Sequence, residues 1–396
     1  DAVEPAARRS DPPPSLDESA LPEATTPVAA TPRPGLWSPH TLRPVGIFLA
    51  SRTVVALALA LTTRVRHQPF LGLLTSWDSR WYLSIAKSGY ASKIPPGTGN
   101  QAQSNLGFFP LLPLVIRGVH EVTRLDYVHA GVLATFLVGL FASVALWWLL
   151  ADQFSFDAAD RGTALVLFWP AAFVLSYVYT EGLVILLVAS TLLALRRRRW
   201  VLAGVCAAIG STADPVATAI VVPCIVACVL AVRTRGEWRS LAAPLLASLG
   251  ILSFFTYLWA HAGSPFEWFH AQRRGWQGGV YGTGVPKAVT SFVLHGVTNL
   301  NPPVKVASAL VAVAMVVVFA RARPPATWRA YVYTVLGYGV LSPIIGITPR
   351  ILLRDFPLVG VVATRIPRRW FPVVLVVSGA LMVALLLAAS TPWFTP

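Results

Sequence analysis

A chain of 396 residues that is 55% hydrophobic and 12% charged carries more apolar surface than one soluble core of this length can hide, so lipid is its expected solvent. Its 32 Lys and Arg against 17 Asp and Glu give a formal charge of +15, spread in short clusters between apolar runs. Such spacing fits loops against anionic headgroups and argues against a nucleic-acid-binding face, so the bilayer is an expected partner and nucleic acid is not.

Residues 1–44 hold ten prolines and almost no apolar periodicity, which predicts a disordered, Pro-rich cytoplasmic tail. Apolar segments follow at 45–63, 127–150, 162–178, 181–195, 201–213, 215–232, 240–260, 303–320, 329–347, 349–364 and 370–391. The expected fold is an all-α polytopic membrane domain over 45–396, with about eleven transmembrane helices. Several segments fall short of the roughly 20 residues a straight span needs, so some must be broken or buried helices. The first run starts too far in, and is too long, for a cleaved signal peptide, and it reads as a signal anchor. Cys206, Cys224 and Cys228 lie inside apolar segments as small buried hydrophobes, with no disulfide framework.

Orientation follows from the basic clusters at 196–199, 233–239, 321–329 and 365–369, all expected to be cytoplasmic, like the N-terminus. The run LGFFPLLPLVIRG at 106–118 contains Pro110 and Pro113 and is too short to cross, so it is expected to be an interfacial helix. A long extracytoplasmic loop then spans 64–126 and carries interfacial helices, and a second, rich in Gly and aromatics, spans 261–300.

WDSRWYLSIAKSGY at 77–90 sets Asp78 among aromatics, with Trp77, Arg80, Trp81, Ser84 and Lys87 on related faces of an amphipathic helix. A partly desolvated carboxylate there, flanked by Arg80, can take a proton from a sugar hydroxyl; equally, Asp78 can cap the helix that follows. Glu181 follows Tyr179 and Thr180 at a tight outer turn, where an acid is either functional or a complement to the helix dipole. Asp214 precedes Pro215, a helix-start pattern. In TPRILLRDFPL, Arg350 and Arg354 lie one turn apart, spaced to hold a lipid phosphate; alternatively Arg354 pairs with a carboxylate such as Asp355 or snorkels. Arg52, inside the first apolar run, reads as structural. His270, Gln272 and Trp276 mark the second loop, where Trp268 or Trp276 can stack a sugar or join an interfacial aromatic belt. No His, Cys and acid spacing resembles a metal site, and no Gly-rich phosphate loop is present, which disfavours a soluble nucleotide-dependent enzyme.

WDSRWYLSIAKSGY, NLGFFPLLPLVIR (105–117), FWPAAFVLSYVYTEGL (168–183), PFEWFHAQRRGW (265–276) and TPRILLRDFPL (348–358) together resemble the PIG-V-type mannosyltransferases of the GT-C superfamily, in an actinobacterial style. The resemblance implies a GT-C fold in the plasma membrane with its catalytic acid, Asp78, in the first extracytoplasmic loop. It implies polyprenyl-phosphate-mannose as donor and inverting transfer to a glycolipid or cell-envelope glycan acceptor. It places Glu181 at the acid after the family's Tyr-Ser pair and Arg350 at the arginine of its Pro-Arg-Tyr motif. The chain departs from the pattern at Thr180, at Ile351, and at Asp214, which stands where the family tends to carry an arginine. Donor phosphate or substrate contacts are then expected from Arg80, Lys87, Tyr179, Glu181, Asp214, His270, Gln272, Trp276, Arg350 and Arg354, with no metal site. The rival readings are a secondary transporter or lipid flippase, against which the outer placement of the charges counts, and a non-catalytic partner of another transferase.

Overall fold

Runs of Leu, Val and Ala broken by Pro, Gly and charged residues can satisfy their backbone inside a bilayer only as helices, and every regular element described is one. The computed structural model describes residues 39–276, 283–295, 299–342 and 346–396; most of the expected disordered tail lies outside them. In chain order the helices are α1 (Pro39–Arg66), α2 (Phe70–Leu74), α3 (Ser79–Ser88), α4 (Leu111–Thr123), α5 (Tyr127–Gln153) and α6 (Phe156–Leu167). There follow α7 (Glu181–Arg196), α8 (Trp200–Ser211), α9 (Val221–Arg235), α10 (Ala242–Ala262), α11 (Glu267–Gly275) and α12 (Gly284–His295). The last are α13 (Asn301–Ala322), α14 (Ala326–Leu341), α15 (Pro349–Arg354), α16 (Phe356–Arg365) and α17 (Phe371–Ala389).

Among the described residues six helical stretches are long and apolar enough to cross a membrane: Leu42–Arg66, Tyr127–Gln153, Val216–Arg235, Trp238–Ala262, Asn301–Ala322 and Phe371–Ala389. The chain is a multi-pass membrane protein. The other apolar segments of the sequence are shorter or broken helices, for local reasons. The 162–178 segment ends α6 at Leu167 and resumes as a single 3-10 turn, Ala172–Ser176, after Pro170. The 349–364 segment breaks at Asp355, ahead of Pro357. Two boundaries differ from the sequence reading. Helix α1 begins at Pro39, inside the expected tail, and α12 occupies part of the expected second loop, where a brief apolar run among glycines gave little periodicity. Helix α4, with Leu112, Pro113 and Ile116 buried, is the short helix expected around 106–118.

The ion pairs sort the charges to two ends. One end holds the basic clusters, where Arg196 and Arg197 pair with Asp152, Arg198 with Glu237, Arg368 with Asp157 and Arg43 with Asp160. The other end holds α2 to α4, α11, the start of α7 and the start of α15.

Small residues set the closest helix contact. Gly204 and Gly250 lie where α8 meets α10, and a Cβ on Gly250 would overlap the Ala208 carbonyl oxygen and the Ser211 hydroxyl. Lipid gives two apolar helices little reason to associate beyond such close packing. Gly250→Leu is therefore expected to destabilise the protein by an amount at or above the upper end of the roughly 1–3 kcal/mol that overpacking costs. A fall in melting temperature in detergent would register it, and an unchanged transition would disprove the contact.

Candidate active site

Asp78 enters the site from a strained turn. Trp77 has φ 56°, a left-handed conformation uncommon for a bulky residue, and its indole Nε1 donates to the Ala389 carbonyl at 3.0 Å. The chain then turns into α3, whose buried face is Ser79, Tyr82, Ile85 and Ala86. Asp78 occupies the cap position, yet its carboxylate accepts no bond from the α3 backbone. That oxygen instead accepts from Arg350 Nη1 at 3.1 Å, and the Asp78 backbone N–H donates to the Tyr179 hydroxyl at 3.3 Å. The capping role open from the sequence is not the one the side chain takes.

Behind Asp78 lies a row of alternating charges. Arg350 Nε donates to Glu181 Oε1, the same oxygen that Arg354 Nη2 reaches at 2.9 Å. Arg354 Nη2 also donates to Asp214 Oδ2 at 2.7 Å, and the Thr180 hydroxyl donates to that oxygen at 3.2 Å. The order is thus Asp78, Arg350, Glu181, Arg354, Asp214, with side-chain exposures of 33%, 15%, 0%, 5% and 4%. Only Asp78 stands substantially open. Arg350 lies over the Tyr179 ring at 4.4 Å from its centroid, a cation–π contact that orients the guanidinium, and Nη1 also donates to the Pro396 carbonyl at 3.3 Å.

Local structure delivers each member. The unwound stretch 177–180 ends as α7 begins, which puts Glu181 in a first turn where the helix dipole favours an anion. Asp214 Oδ1 accepts from the Val216 N–H at 2.8 Å, so the helix-start role read from Asp-Pro is realised with one oxygen while the other pairs with Arg354. Thr348 Oγ1 caps α15 by accepting from the Ile351 N–H, and that helix carries both arginines on adjacent turns. Asp355 is fully buried and neither carboxylate oxygen has a hydrogen-bond partner among the described residues, so the Arg354–Asp355 pair considered from the sequence does not form.

Several of the expected substrate contacts already hold partners of their own. Arg354 is sealed between two carboxylates, Glu181 and Asp214. Glu181 and Asp214 are buried with it. Arg80 and Lys87 lie on the exposed face of α3; Arg80 stacks over Trp81 and donates to Gln103 Oε1 at 3.4 Å. His270 and Gln272 on α11, and Trp276 at its C-terminal cap, lie outside the charge row. Gln272 Nε2 and Trp268 Nε1 both donate to the Gly107 carbonyl, at 2.8 and 3.1 Å, and Trp276 packs edge-on against Trp81 and Phe108. These groups fix α11 onto α3 and the 105–108 turn.

Tyr82 was missed in the sequence, although its place four residues after Asp78 puts both on one face of α3. It is 4% exposed, and burial first, then the Asp214 and Asp78 carboxylates, push its phenol well above the ordinary tyrosine range. It stays protonated and neutral beneath the acids. Among the described residues Arg52 has no acidic partner; it donates to the Ala172 carbonyl and the Ser176 hydroxyl, at 2.9 and 2.8 Å, which steadies the break before Tyr177. Among the described residues no three His, Cys, Asp or Glu side chains gather as a metal-ligand set.

The fold is the all-helical GT-C membrane type. Its similarity is to the crystal structure of ArnT from Cupriavidus metallidurans bound to undecaprenyl phosphate, with a TM-score of 0.52 and 17% sequence identity over 87% of this chain. The chain spans 64% of that protein's length. No protein-family model matches the chain, and no curated protein sequence does.

Proposed function

We propose that the protein is a membrane glycosyltransferase that moves a sugar from a polyprenyl-phosphate donor to a hydroxyl of a glycolipid or cell-envelope glycan. The sugar is mannose by the sequence resemblance to PIG-V-type enzymes. One observation carries the reading: a carboxylate that is one-third exposed ends a buried charge row, in a fold similar to one solved with a lipid phosphate.

The chemistry follows from how Arg350 is shared. It holds Asp78 with Nη1 and Glu181 with Nε, so an incoming phosphate can draw Nη1 off Asp78 while Glu181 keeps the guanidinium in place. Asp78, released from its cation, is then open to the acceptor hydroxyl. It takes the proton of the acceptor hydroxyl, the acceptor oxygen bonds to the anomeric carbon, and the bond from that carbon to the phosphate oxygen breaks. Inversion follows from attack opposite the leaving group, and Arg350 stabilises the charge gathering on the departing lipid phosphate. The basic clusters at the far end support a cytoplasmic placement of that end by the positive-inside rule, which sets Asp78 on the extracytoplasmic side of the plasma membrane.

Membranes containing the protein, incubated with radiolabelled polyprenyl-phosphate-mannose, test this. Label appearing in glycolipid or glycan, absent from membranes lacking the protein, is the expected result. Donor carried across a liposome bilayer without any new glycosidic product would instead establish a flippase.

A further inference from the structure

A second cleft opens at the same end of the molecule, apart from the charge row. It encloses about 400 Å³ between the segment after α3 and helix α11, and is lined by Lys93, Ile94, Glu267, His270, Arg273 and Arg274. Three permanent cations face one carboxylate, and that carboxylate already accepts from His270 Nδ1 at 3.1 Å. Arg274 Nη2 braces the wall by donating to the Pro95 carbonyl at 3.2 Å and the Gly97 carbonyl at 3.4 Å. Lys93 and Arg273 are exposed and have no hydrogen-bond or ion-pair partner among the described residues. Such uncompensated basic charge in a concave site is suited to an anion.

The surroundings say where that anion comes from. The cleft sits just past the end of the span Trp238–Ala262, which Gly263 closes in a left-handed conformation at φ 84°. Trp259 and Phe266 flank this junction, 63% and 59% exposed, and Phe269 on α11 is 42% exposed. Helix α11 buries Trp268, Ala271 and Gly275 inward and turns Phe269, His270 and Arg273 outward. Exposed aromatics at the end of a spanning helix belong at headgroup level, so the neighbouring cations lie at the depth of lipid phosphates.

We propose that this cleft binds the phosphate head group of an anionic lipid in the adjoining leaflet, with Lys93 and Arg273 as its direct ligands. The site needs no sugar transfer, so it stands or falls separately from the reaction at Asp78. It is distinct from the phosphate position at Arg350, since α11 makes no hydrogen bond or ion pair with the charge row among the described residues.

The purified protein, delipidated in a neutral detergent, is titrated with phosphatidylglycerol and bound lipid is counted by native mass spectrometry. Lys93→Gln combined with Arg273→Gln is expected to weaken the tightest phosphatidylglycerol binding by about tenfold or more, with the melting temperature unchanged. Lys93→Arg with Arg273→Lys, which keeps both charges, should restore most of it, and zwitterionic phosphatidylcholine should bind wild type and variant alike. Equal phosphatidylglycerol affinity in wild type and the neutral variant overturns the site. A parallel titration with inorganic phosphate separates the two sources of the anion: binding as tight as the lipid's would make this a soluble-phosphate site and overturn the lipid assignment.

Discussion

Asp78→Asn is expected to cut sugar transfer by about 10²- to 10⁴-fold, the range that a general base contributes, while the protein accumulates normally in the membrane. The asparagine keeps the backbone N–H that donates to Tyr179 and a carbonyl oxygen for Arg350 Nη1, so the local geometry has little cause to change. Arg350 also keeps its bond to Glu181. What disappears is a group able to accept the acceptor's proton. Initial rates with labelled donor, normalised to the amount of folded protein, measure the effect. Turnover within a few fold of wild type would remove Asp78 from the base position.

Arg354→Met is expected to act on stability instead. It leaves Asp214, 4% exposed, without a cation, and Glu181, fully buried, with Arg350 alone. Removing one partner from a buried ion pair strands the other charge in a poor solvent and costs about 3–5 kcal/mol. The drop in melting temperature should be partly reversed by adding Asp214→Asn, because the stranded charge is then gone; a coupling of that sign is what a double-mutant cycle detects. If the two substitutions add independently, Arg354 and Asp214 do not interact in the membrane. Arg354→Lys should fall between, since one ammonium cannot reproduce the fork that meets Glu181 and Asp214 together.

Much of the fold was legible because apolar length is a strong signal in lipid: the segments beginning near residues 45, 127, 215, 240, 303 and 370 return as the six long helices. The failures came where tertiary context decides. Helix α12 is a short apolar run bordered by glycines that gave little periodicity, and the start of α1 reaches back to Pro39 through proline-rich sequence. In the site, Asp78, Glu181, Asp214, Arg350 and Arg354 were each visible as ionisable residues at apolar borders. Their pairing was not, because 272 positions separate Asp78 from Arg350 and no local periodicity reports such a distance. The reading of Asp214 as an odd acid in place of an arginine also changes once its partner is seen. Its charge answers Arg354 inside the fold.

Helix α15 has six residues, held at one end by Thr348 and ended at the other by the break at Asp355. Both guanidiniums ride on this single short rod. A shift of that rod would move both guanidiniums relative to Glu181 together. The contacts of Arg350 and Arg354 with the three carboxylates are thus tied to the position of one short helix.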